Sequence, residues 1–124
     1  MAVELKKISL EGHYLDCRFE GEFGNLAKMI ENTLRILKAY RETKCPNALL
    51  DFSEISGRID VFGEHRLALH IARVIPPGTK IAVLAPPHMK DAASGHLENA
   101  AVNRAAQLRV FWEREESVKW LRAS

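Results

Sequence analysis

Twelve residues, "LLDFSEISGRID" at positions 49 to 60, hold two serines, a glutamate, an arginine and two aspartates. A short apolar run, Leu49-Leu50, leads into Asp51 and then into Ser53, Glu54, Ser56, Arg58 and Asp60. Three chemistries are conceivable for such a set. A serine hydroxyl attacks a substrate when a base lies in reach and a third group orients that base. Main-chain N–H groups at a helix start, with Arg58 and Lys90 beside them, hold an anion. A dense polar loop also serves as a docking surface. The plainest alternative is structural: Ser56-Gly57 is a turn signal, and Asp60 and Asp91 suit helix caps.

The remaining chemistry-bearing residues narrow the choice. The chain has no GxSxG elbow to activate a serine. It has no GxxxxGK[ST] run and no GxGxxG, so a nucleotide cradle is not expected. The acids Asp51, Glu54, Asp60 and Asp91 oppose an anion unless they act as caps. Five histidines are present, but His65 and His70 project about 140° apart on a helix. His88, Asp91 and His96 lack a recognised ligand spacing. No metal and no cofactor are expected, and the chain is read as not an enzyme. The candidate binding residues are Ser53, Ser56, Arg58, Asp60, Phe62 and Arg66, with His88 and Lys90 as an additional loop.

These residues need elements to hold them. "VELKKIS" and "HYLDCRF" read as two strands joined through "LEG", an antiparallel hairpin. Leu15, Cys17 and Phe19 share one buried face, and Tyr14, Asp16 and Arg18 a wetter one. Leu26, Met29, Ile30, Thr33, Leu34, Leu37 and Tyr40 recur at helical steps. Asn25 suits the N-cap of that helix, Lys38, Arg41 and Lys44 suit its far pole, and Pro46 stops it. "NALLDF" and "KIAVLA" are apolar runs without alternation, as in parallel strands covered on both faces. A helix over about 60 to 75 separates them, with Leu67, Ile71 and Val74 as its stripe. A third helix is expected over about 91 to 107, then a strand "LRVFW" and a closing helix "EREESVKWLRA" anchored by Trp120 and Leu121. The fold class is α/β: a mixed, mainly parallel sheet of about five strands, an N-terminal antiparallel hairpin and four flanking helices, in one domain over 1 to 124.

At 124 residues the chain has the size of a single domain. Hydrophobic residues make up 47% and charged residues 27%, as in ordinary globular proteins. The net charge of +2 comes from interleaved signs, as in "AYRETK", so a nucleic-acid partner is not expected. No run approaches the ~20 apolar residues of a membrane span. The start, "MAVELKKISL", has no apolar segment of signal length. The two cysteines, Cys17 and Cys45, have no zinc spacing and suit a reducing compartment. A cytoplasmic protein is expected.

In order, "LLDFSEISG" with the helix after it, "GTKIAVLAPP", and "ENAAVNRAAQLRVFWEREESVKWL" resemble a STAS domain, the sulphate-transporter and anti-sigma-factor-antagonist fold. The likeness is closest to its SpoIIAA-like branch of small bacterial proteins, and it runs over nearly the whole chain. The resemblance implies a protein-interaction or regulatory module. Family members that act as antagonists carry an Asp-Ser pair, phosphorylated on the serine, at the start of the helix after the third strand. The matching segment here is "RIDVFG", with Val61 where that serine would stand, so the phosphoswitch does not carry over. The alternative function is a carrier for a small apolar ligand or lipid, by analogy with lipid-transfer domains of similar fold. The expected partner is a protein or such a ligand, and a homodimer is left open.

Overall fold

Gly12 and His13 turn the chain between β1 (Glu4–Glu11) and β2 (Tyr14–Glu20). Gly12 has φ 64 and His13 does not share that region, as in a type II′ hairpin with glycine first. The turn shares only Gly12 with the "LEG" expected from sequence, because β1 extends to Glu11 opposite Tyr14. The computed structural model describes residues 3–22, 26–57, 66, 70, 73, 76–88 and 106–123.

Three further strands follow: β3 (Asn47–Asp51), β4 (Lys80–Leu84) and β5 (Gln107–Phe111). They lie in the order β1-β2-β3-β4-β5. The β1–β2 pair is antiparallel and the other three pairs are parallel. The expected mixed sheet is therefore present.

Two flanking helices are described, not four. Helix α1 spans Leu26–Thr43 and α2 spans Arg114–Arg122. The helices expected over 60 to 75 and 91 to 107 fall outside the described residues, apart from helical backbone at positions 66, 70 and 73. Gln107, at the approximate end of the second, already belongs to β5. Asn25 also falls outside the described residues. The end of α1 is clear. Lys44 N–H donates to the Tyr40 carbonyl at 2.8 Å, and Lys44 adopts φ 58, the left-handed exit common at helix C-termini.

The sheet is covered on two sides. On one face Leu15, Cys17, Phe19, Ala48, Phe52, Val83 and Leu108 pack with Met29, Ile36 and Ala39 of α1. On the other, Tyr14, Leu49, Ala82, Leu84 and Phe111 pack with Val118, Trp120 and Leu121 of α2. Trp120 and Leu121 are the anchors the sequence suggested, with the Trp120 ring 5.5 Å from Phe111. Lys80 Nζ lies 4.6 Å over the Trp120 ring and donates to the Ala123 carbonyl at 2.7 Å, closing the end of α2.

Two sequence expectations need correction. Tyr14 and Asp16 are buried rather than wet, because β2 is an interior strand and α2 covers that face. The stripe of α1 is also turned. Asn32 is buried and Leu34 is 53% exposed, because α1 leans over β1. There Asn32 Nδ2 donates to the Val3 carbonyl and Arg35 Nη1 to the Leu5 carbonyl.

Candidate functional site

The carboxyl ends of β3, β4 and β5 point the same way, so the loops after them gather at one end of the sheet. Phe52 and Ile55 fix the first loop from beneath. Both are buried, the Phe52 ring stacks on Phe19 at 4.4 Å, and Ile55 N–H donates to the Phe52 carbonyl at 3.0 Å. With these two turned inward, Ser53, Glu54, Ser56 and Gly57 are exposed. The polar density of "FSEIS" is the outer side of an anchored turn.

Both ends of that turn are tied. Ser56 donates to the Gly21 carbonyl through N–H at 3.0 Å and through Oγ at 3.2 Å. Gly57, at φ 74, offers its carbonyl to His88 Nε2 at 2.6 Å. A carbonyl oxygen only accepts, so that ring nitrogen carries the proton. The contact joins the loop after β3 to the loop after β4. Of the candidate residues, Ser53, Ser56 and His88 come together at this end. Arg66 is an exposed helical position. Arg58, Asp60, Phe62 and Lys90, together with Val61, lie outside the described residues.

A charged cluster under the loop was not apparent from the sequence. Asp51 ends β3, and its Oδ1 accepts from Ser53 N–H at 2.9 Å and Ser53 Oγ–H at 2.6 Å. Arg114, at the first turn of α2, bridges two strands. Its Nη1 donates to Asp51 Oδ2 and its Nη2 to Asp16 Oδ2, each at 2.7 Å. Arg18 approaches Asp16 Oδ2 more loosely, at 3.4 Å. Burial works against the Arg114 charge, but the carboxylates of Asp16 and Asp51 outweigh it, and its pKa is raised. Asp16 Oδ1 is buried with no hydrogen-bond partner among the described residues. The legible signal was Arg114 itself, since a cation in the first turn of a helix opposes the helix dipole and needs carboxylates to offset it.

The chemistry available is limited. Ser53 Oγ donates to a carboxylate already shared with Arg114, not to an imidazole, so its proton is not poised for transfer. No group of three or more His, Cys, Asp or Glu side chains converges as metal ligands among the described residues. Burial, then the Arg73 charge, push the His70 pKa below its ordinary value.

At the other end of the sheet, under α1, lies an apolar cleft of about 70 Å³. Thr33, Ile36, Tyr40, Cys45, Leu50 and Ile81 are among the residues lining it. No helix among the described residues is long and apolar enough to cross a membrane. A scan against protein-family models found no matching family, and a search of the curated proteins found no match.

Proposed function

We propose that this chain is a non-catalytic protein-interaction or regulatory module of the STAS-like type, with the loop after β3 as its docking end. The observation that carries the reading is the built form of that loop. Phe52 and Ile55 anchor it, Gly21 and His88 tie its far end, and Ser53, Glu54 and Ser56 are left outward. A preformed surface loses little freedom when a partner docks, which favours binding. The carboxylate beneath it is engaged by Arg114 and Ser53, which supports a scaffold role over proton transfer. With Val61 in the place of the family's serine, the module works without a phosphate at that position.

The second reading, a carrier for a small apolar ligand, has the cleft under α1 in its favour. Its volume of about 70 Å³ is well short of the ~300 Å³ at which pockets for drug-sized molecules begin. The interaction reading is therefore preferred.

Native mass spectrometry on protein purified gently from its own cell tests both. The interaction reading expects a stoichiometric protein partner, lost on Glu54→Arg while the melting temperature stays within about 2 °C, and lost on Ser56→Arg, which also gives up the Oγ bond to Gly21 at a cost of about 1 kcal/mol. A retained mass of small-molecule size, with no protein partner, would favour the carrier. Partner capture that ignores both substitutions would move the docking surface elsewhere.

A further inference from the structure

We propose that a second copy of this chain pairs antiparallel with the free edge of β1, in the register that sets Ile8 against Leu10 of the other copy. This goes beyond the docking reading and concerns a different part of the molecule.

Among the described residues, β1 is the terminal strand of the sheet. Its two halves differ. Near the start, the register slips between Leu5 and Lys7, and α1 side chains take the Val3 and Leu5 carbonyls. A bulge and occupied carbonyls are how natural edges resist pairing. From Lys7 to Glu11 neither device is present among the described residues. There Leu10 stands 54% exposed, one of the two large hydrophobic side chains most open to solvent among the described residues.

The hairpin decides which main-chain groups face outward. In a two-residue turn the flanking pair, here Glu11 and Tyr14, is hydrogen-bonded across the hairpin. Alternation then turns Ser9 and Lys7 toward β2, and Ile8 and Leu10 toward the open edge. An added strand must meet those two. A symmetric pair of copies can do this in three registers: Ile8 on Ile8, Leu10 on Leu10, or Ile8 on Leu10. The first two join one outward residue to itself. The third uses both, and each such pair exchanges two main-chain hydrogen bonds.

The side chains favour the same register. On the α1 face it opposes Ile8 and Leu10, covering the exposed leucine. On the other face it opposes Lys7 and Glu11 twice, with Ser9 at the two-fold axis. Opposite charges placed directly across antiparallel strands attract, and like charges repel. In the Ile8-on-Ile8 register Lys7 meets Ser9, and in the Leu10-on-Leu10 register Glu11 meets Ser9, so neither gains the ion pair. The result is one continuous sheet through two molecules, with an isologous interface. The overlap is short, below the area of standard stable interfaces, so the dimer is weak and concentration-dependent.

Sedimentation velocity from roughly 1 μM to 1 mM, a span of about 4 kcal/mol in binding free energy, reads it out. The expected result is a reversible monomer–dimer equilibrium. Lys7→Glu or Glu11→Lys alone should weaken it by about tenfold, because each creates two like-charge pairs. The double variant Lys7→Glu with Glu11→Lys should restore it. Both residues are exposed, and circular dichroism confirms that each variant is folded. Amide exchange at Ile8 and Leu10 should slow as concentration rises. A monomer throughout overturns the proposal. So does a dimer that ignores the single substitutions, is not restored by the double one, or leaves the Ile8 and Leu10 amides exchanging freely.

Discussion

Arg114 is the side chain on which the most depends. It joins Asp16 and Asp51 from the far end of the chain, a separation no local pattern reveals. Asp51, at the end of β3, accepts from the loop amide of Ser53. The sequence pattern misread Asp16, because alternation in β2 cannot tell that a later helix covers the second face. Removing one partner of a largely buried ion pair leaves a charge uncompensated. Arg114→Leu should therefore destabilise the fold by about 2 kcal/mol in urea unfolding, below the usual range for buried pairs because Arg114 itself is 36% exposed. Adding Asp16→Asn should recover part of that loss. Cys17 offers a second test. Burial, then the Asp16 charge, push its thiol from 9.0 up to about 12. The folded protein keeps that proton where the unfolded chain releases it. Its contribution to stability is fully present below pH 9 and declines as pH rises toward 12, by ~1.4 kcal/mol per pH unit. The decline should be shallower by that amount in Cys17→Ala. Native thiol labelling should modify Cys45 well before Cys17.

At the scale of elements, apolar runs without alternation located β3 and β4, covered on both faces, while the hairpin pattern located β1 and β2 and the run "LRVFW" located β5. The end of α1 was legible from Pro46, while its inward face was not. Spacing pointed to a stripe through Leu34, but the structure turns α1 so that Asn32 and Arg35 reach the carbonyls at the start of β1. Polar side chains that cap a neighbouring strand do not register in a count of apolar positions. The exit from α1 carries a measurable strain. Lys44 holds φ 58, a conformation costing roughly 1–2 kcal/mol for a residue with a Cβ and little for glycine. Lys44 is exposed, so Lys44→Gly should raise the melting temperature. The gain should be about 1 kcal/mol, offset partly by the greater freedom of glycine in the unfolded chain.

For the whole molecule, the α/β class and the antiparallel start followed from the order of patterns. The loop after β3 was legible as a polar cluster after an apolar run, but not its anchoring, since Phe52 and Ile55 look no different from surface apolar residues until Phe19 is placed beneath them. The sequence left a homodimer open without a place for it, since the outward main-chain groups of β1 follow from the hairpin register. The sequential strand order has a further consequence during synthesis. Each strand lies beside the one made just before it, so the sheet can grow as the chain leaves the ribosome and never waits for a later strand to be inserted. The face lined by Tyr14, Leu49, Ala82, Leu84 and Phe111 is different, because the helix that covers it comes after all five strands. Among the described residues, nothing made before positions 114 to 122 covers that oily side. Stalling or truncation before that point should drive the nascent chain to chaperones or into aggregates.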